Sequence, residues 1–241
     1  MIAHADTSEN QETLSVPIQQ LARTYTFKKD QMTEEELQTL YEILPEEALE
    51  KYRATLSDYV KIDFNNQAYS QDKWKYAKLW ATLGTKNPAT YLNAFLATNY
   101  GFWYPYASLN CYEGYQQFTY VYDESSYFAY ETELPGVRHS LIPAMDRFIK
   151  TLSLEISWQK LPGVRILFHP AWYFWIFFAG IVYQIAMRRH GCLVPALFIL
   201  LLWMTVLLGP ASLARYVLYF YFGMPLLISF LLEGYQWVRT E

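Results

Sequence analysis

The chain has 241 residues, 53% of them hydrophobic and only 17% charged, with a formal net charge of −4. Charge is unevenly spread: 14 of the 19 basic and 21 of the 23 acidic side chains precede Pro162, which leaves −7 on that part and +3 on the rest. An acidic front part with no Lys/Arg-rich run excludes nucleic acid as a partner, and two cysteines, Cys111 and Cys192, cannot frame a disulfide scaffold.

Residues 1–16 are polar and read as a flexible segment, with no apolar core of a signal peptide after Met1. A first helix is expected over Ile18–Tyr25. Thr33-Glu34-Glu35-Glu36 fits a capping box, with Thr33 as N-cap and Glu36 at the third helical position; Leu37, Leu40, Tyr41 and Leu44 then follow at helical spacing. After Pro45 a further helix is expected over Glu46–Leu56, with Ala48, Leu49 and Tyr52 inward. Tyr59–Phe64 reads as an extended connection. Ser70 or Asp72 can cap a helix carrying Trp74, Ala77, Leu79, Trp80 and Leu83, with Gly84 as its stop. Asn87-Pro88 opens the next, with Asn as N-cap and Pro at the first position, and Tyr91, Leu92, Ala94, Phe95 and Leu96 along it.

Tyr100–Tyr130 is dense in tyrosine and poor in charge. Its Gln117–Tyr122 stretch alternates, which fits a strand, a hairpin or an ordered loop. Helix resumes near Leu141 and runs to the break at Leu161-Pro162-Gly163. Beyond it lie three apolar runs, Ile166–Met187, Gly191–Ala214 and Tyr216–Leu232, parted by Arg188-Arg189-His190 and by Arg215. A bilayer core takes about 20 apolar residues as helix. These runs therefore predict transmembrane helices over about 166–187, 191–209 and 213–232. Trp172, Tyr173, Trp175, Tyr216, Tyr219 and Tyr221 stand where an interfacial belt would be, and Gly209-Pro210 is a natural break between spans two and three.

The expected fold is thus mainly α. A flexible segment (1–16) and a water-exposed helical domain (17–163) with an aromatic-rich loop or hairpin precede a three-helix membrane domain (164–241). The expected location is a bacterial cell membrane, multi-pass, with the front domain extracytoplasmic.

No chemistry declares itself by motif. The histidines at 4, 139, 169 and 190 lack metal-ligand spacing, and there is no phosphate loop or nucleophile elbow. Ser157 and Lys160 match a Ser/Lys pair by letter alone. Arg23, Asp58 and Lys61 lie beside apolar runs, where a buried pair is possible and surface charges are the default. The best candidate surface is aromatic. Trp and Tyr rings present an apolar face and a polar tip, which suits sugars, and Trp103, Tyr104, Tyr106, Tyr112 and Tyr115 are the chosen residues. Arg215, between two apolar runs, is the cation expected to meet a lipid phosphate or a carboxylate.

Several strings carry a resemblance: Ser15-Val16-Pro17-Ile18-Gln19-Gln20-Leu21-Ala22-Arg23, Ser57-Asp58-Tyr59-Val60-Lys61, Lys86-Asn87-Pro88-Ala89-Thr90-Tyr91-Leu92-Asn93-Ala94-Phe95, and Ala214-Arg215-Tyr216-Val217-Leu218-Tyr219-Phe220-Tyr221. From about residue 14 onward the chain resembles the end of a family of bacterial polytopic membrane proteins that look like GT-C glycosyltransferases. That resemblance implies the C-terminal portion of a longer protein, shaping the acceptor or lipid-carrier site for cell-envelope sugar transfer. Its partners would be the lipid bilayer, a polyprenyl-phosphate sugar and a glycan or protein acceptor. It supplies no catalytic residue here, because the acidic residue of such enzymes lies in an early loop without counterpart in this sequence. The competing reading is a non-enzymatic, membrane-tethered module that binds glycan or protein. No cofactor and no metal are expected.

Overall fold

Helix dominates from the first described residue onward, because the chain repeatedly places apolar side chains at helical spacing and marks several of its helix starts with side-chain caps. The computed structural model describes residues 10–108, 140–154, 160–188, 193–225 and 228–229. It divides into two compact units, one of Met1–Tyr100 with Leu201–Ser212, the other of Gly101–Leu200 with Leu213–Glu241.

The first unit is built around α1 (Ser15–Lys28). Ile18, Leu21, Ala22 and Tyr25 recur at the 3–4 residue spacing of one helical face and are all buried. Four polar residues of α1, Ser15, Gln19, Gln20 and Thr24, are buried as well. Buried polar side chains need hydrogen-bond partners, and each of these has at least one, although Gln19 Oε1 itself has none. Gln19 Nε2 donates to the carbonyl of Arg53 at 2.8 Å, and Gln20 Oε1 accepts from Trp80 Nε1 at 2.8 Å.

Around α1 pack α2 (Glu34–Ile43), α3 (Glu46–Glu50), α4 (Asp58–Lys61), α5 (Asn66–Gln71), α6 (Lys73–Lys86) and α7 (Pro88–Thr98). The expected capping box is present: Thr33 Oγ1 accepts from Glu36 N at 3.2 Å, and Glu36 Oε2 accepts from Thr33 N at 2.9 Å. Asp72 caps α6 through Lys75 N at 3.0 Å. Asn87 stands at the start of α7, yet its Nδ2 donates back to the Leu83 carbonyl rather than its oxygen capping forward. Leu40, Ile43, Leu44, Leu49, Val60, Phe64, Tyr76, Leu79 and Leu83 complete the core.

Three further local expectations change. The helix expected over Glu46–Leu56 ends at Glu50, and the chain turns there into a short bridge between Arg53 and Leu56. The Tyr59–Phe64 stretch contains the short helix α4, which turns Lys61 inward to 7% exposure. Its ammonium bridges Asp58 and Glu12 at 2.9 Å each. A buried charge needs such partners, so Lys61 is not the surface charge expected of it. Gly84, expected to stop α6, lies inside it. A Cβ at Gly84 would sit 2.8 Å from Tyr91 Cε1, and Tyr91 is itself pinned by its hydroxyl to the Trp80 carbonyl at 2.8 Å. Close approach between α6 and α7 explains this glycine.

The Leu201–Ser212 stretch belongs to the first unit through backbone bonds. Ser57 N donates to the Pro210 carbonyl at 3.0 Å, Asn99 Nδ2 to the Leu207 carbonyl at 2.9 Å, and Ser212 Oγ to the Thr98 carbonyl at 2.8 Å. Leu56 and Ala211 form an isolated antiparallel bridge. The Gly209-Pro210 break thus leaves the Leu207 and Pro210 carbonyls to these partners where a continuing helix would have consumed them.

The second unit holds the remainder. Its elements are α8 (Tyr100–Trp103), whose first residue belongs to the first unit, α9 (Pro143–Leu154), α10 (Pro162–Phe168), α11 (Pro170–Ala186) and the start of α12 (Leu193–Val206), followed by a 3-10 turn at Ala214–Val217 and helix over 218–225. The expected strand at Gln117–Tyr122 lies outside the described residues.

The three expected transmembrane helices are corrected. Among the described residues no helix is long and apolar enough to cross a membrane. The apolar run over 166–187 is divided where His169 adopts extended backbone between α10 and α11. The 17 residues of α11 reach only about 25 Å and the 14 described residues of α12 about 21 Å at ~1.5 Å per residue, short of a hydrocarbon core of about 30 Å. The run over 213–232 opens as a 3-10 turn rather than as α-helix. The multi-pass membrane location and the membrane assignment built on those spans fall with them.

Gly84→Ala tests the helix contact. An exposed helical glycine gains about 1 kcal/mol on becoming alanine; here the clash with a pinned ring costs about 1–3 kcal/mol. Chemical denaturation of the Gly84→Ala chain is expected to show a net loss of stability, whereas a gain would mean that Tyr91 moves aside freely.

Candidate functional site

In the second unit the residues 101–108 carry an aromatic surface. Phe102 and Ala107 are buried and fix its two ends, while Trp103 is half-buried and Tyr104 and Tyr106 stand 45% and 60% exposed. The rings form a chain. Trp103 and Tyr104 have centroids 5.9 Å apart, Tyr104 and Tyr106 6.1 Å, and Tyr106 meets Trp172 edge-on at 6.2 Å. Such tilted and edge-to-face pairs are favourable geometry for aromatic quadrupoles.

Exposed rings on irregular backbone need an anchor, and α10, α11 and the residue between them provide it. Trp175 Nε1 donates to the Trp103 carbonyl at 2.6 Å. Arg165 Nη2 donates to the Tyr106 carbonyl at 3.2 Å, and its Cζ lies 5.4 Å from the Tyr106 ring centroid. His169 Nε2 lies 2.9 Å from the Ala107 carbonyl. His169 Nδ1 accepts from Ala171 N at 3.3 Å, capping α11 just ahead of Pro170 at its first position. With Nδ1 accepting, Nε2 carries the proton and donates to Ala107; the bonding network fixes this neutral tautomer.

His169 is 1% exposed. Burial, opposed by the hydrogen bond to Ala107 and aided by the nearby Arg165 charge, pushes its pKa down to about 4. A neutral imidazole can hold both bonds; an imidazolium would lose the cap and stand at the positive end of a helix.

Of the residues singled out from the sequence, Trp103, Tyr104 and Tyr106 are brought together. Tyr112 and Tyr115 lie outside the described residues, as does Ser157. Arg215 occupies the Ala214–Val217 turn, with its Cζ 5.3 Å from the Tyr216 centroid. A cation seated on the candidate rings is Arg165, which sequence reading passed over along with His169, Trp172 and Trp175 as members of the surface. The available signal was His169-Pro170, a cap followed by proline, which marks a helix start inside an apolar run. Among the described residues no three His, Cys, Asp or Glu side chains are grouped to hold a metal ion.

A profile described as a family of unknown function, DUF6020, matches residues 2–237. The chain belongs to the DUF6020 family. No curated protein and no solved structure matches it. Membership of DUF6020 carries no activity, so the glycosyltransferase-like and cell-envelope assignments find no support in it, and the membrane architecture attached to that resemblance is already corrected above.

The His169 clamp makes stability depend on pH. The folded pKa is lowered relative to about 6.5 in the unfolded chain, so the unfolded state binds the proton more readily. The contribution is present above about pH 6.5 and is lost as pH falls toward 4, reaching about 3 kcal/mol in full. Denaturation curves between pH 7 and 4 are expected to show this loss, and His169→Gln, which keeps an amide donor but cannot take up a proton, is expected to flatten it. An unchanged slope in the variant would remove His169 from the account.

Proposed function

We propose that this DUF6020 chain is a saccharide-binding module, with Trp103, Tyr104 and Tyr106 as the surface on which sugar rings lie. The observation that carries the reading is a pair of large exposed rings, Tyr104 and Tyr106, held in place by hydrogen bonds to the backbone of their own segment. Tyrosine and tryptophan supply rigid, amphipathic contact area at little conformational cost, with two χ angles each. The C–H face of a pyranose packs on the ring, while the phenol hydroxyl bonds to sugar hydroxyls. Contiguous exposed aromatic surface on a folded chain commonly marks an interaction site.

No transfer chemistry is assigned. The carboxylates and lysines of the first unit also argue for structural roles. The cluster of Tyr25, Lys29 and Glu46 holds its members within 2.5–2.8 Å of one another and raises the Tyr25 hydroxyl pKa above its usual value by burial and by the Glu46 bond. That shift opposes use of the tyrosine as a base.

Calorimetric titration of the full chain with a panel of oligosaccharides tests the reading. At least one is expected to bind, and Tyr106→Ala is expected to weaken it about tenfold, equivalent to ~1.4 kcal/mol. Tyr41→Phe, in the first unit, is expected to leave binding unchanged. A panel with no binder, or a Tyr106→Ala chain that folds and binds as well as the parent, would defeat the proposal.

A further inference from the structure

The electrostatics around Tyr106 narrow the ligand class within the saccharide reading, on which this inference rests. Neither stretch that builds the surface, residues 101–108 and residues 160–187, contains an aspartate or glutamate. Arg165 brings a permanent positive charge against Tyr106, within 5.4 Å of the ring centroid. Its bond to the Tyr106 carbonyl and its contact with the ring hold the guanidinium plane in position before any ligand arrives. The exposed rings thus have a cation beside them and no carboxylate from their own two stretches, and a neutral sugar would leave that charge unanswered.

We infer that the preferred saccharide is acidic, a sugar whose ring lies on Tyr104 and Tyr106 and whose carboxylate meets the Arg165 guanidinium. Arginine pairs with a carboxylate through two parallel N–H···O bonds, roughly twice as strong as neutral hydrogen bonds.

The test compares two probes on the full chain: a glucose disaccharide, and the same disaccharide with its terminal hydroxymethyl oxidised to a carboxylate. The parent chain is expected to bind the acidic probe about five- to tenfold more tightly at low salt, with the ratio falling toward one as salt approaches about 1 M. Arg165→Gln is expected to bring the acidic-to-neutral ratio to about one, whatever affinity remains, and Arg165→Lys to keep it above one. If Arg165→Gln does not fold, the salt dependence of the parent and the ratio in Arg165→Lys decide. Equal binding of both probes by the parent overturns the acidic preference and leaves the saccharide reading intact. A preference that persists in Arg165→Gln overturns the role of Arg165. Failure of both probes to bind overturns this inference, and the saccharide reading falls with it only if the whole oligosaccharide panel also fails.

Discussion

Three side chains, from α10, from α11 and from the residue between them, grip three backbone carbonyls of another segment, and the candidate surface depends on that grip. Arg165, His169 and Trp175 reach the carbonyls of Tyr106, Ala107 and Trp103. The gripped backbone has no regular secondary structure after Trp103, so its carbonyls have no helical partners of their own. A polar group withdrawn from water without a partner costs about 1–3 kcal/mol. The grip removes that cost and, by doing so, fixes the directions in which Tyr104 and Tyr106 leave the chain. Exposure of the rings is thus a consequence of how their backbone is satisfied, with Phe102 and Ala107 buried on either side as fasteners.

The same feature accounts for the break in the apolar sequence that follows Pro162. His169 in extended backbone ends α10 and caps α11, and its second nitrogen serves the aromatic segment. A continuous helix through this point would deprive Ala107 of its partner. The first unit shows a parallel economy at Gln19 and Gln20, where buried amides on α1 bond to the Arg53 carbonyl and to Trp80. In both units polar groups inside the fold specify which segments meet, while the apolar residues around them supply most of the driving force.

What could be read from the sequence was local. The Thr33–Glu36 box and the Asp72 cap depend on residues three apart and appear as expected. The aromatic candidates Trp103, Tyr104 and Tyr106 were visible through composition, and they do assemble. Gly84 was misread because its reason is a ring on the next helix, Tyr91, not the end of its own. The transmembrane spans were misread because hydropathy reports how apolar a run is and not whether its backbone stays helical. His169-Pro170, Leu207–Pro210 and the 3-10 turn at Ala214 interrupt runs whose composition alone would span a bilayer. Arg165 and His169 escaped notice because their partners lie 59 and 62 residues away, and nothing in single-sequence spacing encodes such contacts.

Saturation-transfer difference NMR on the full chain with an acidic oligosaccharide tests the central claim most directly, because it reports which sugar protons lie against protein aromatic protons. Irradiation of the aromatic envelope is expected to transfer magnetisation mainly to the C–H protons of one face of a pyranose ring, and to lose most of that transfer in Tyr106→Ala. Uniform or absent transfer, or transfer unchanged by the substitution, would contradict the assignment of the Trp103–Tyr104–Tyr106 surface as a sugar platform.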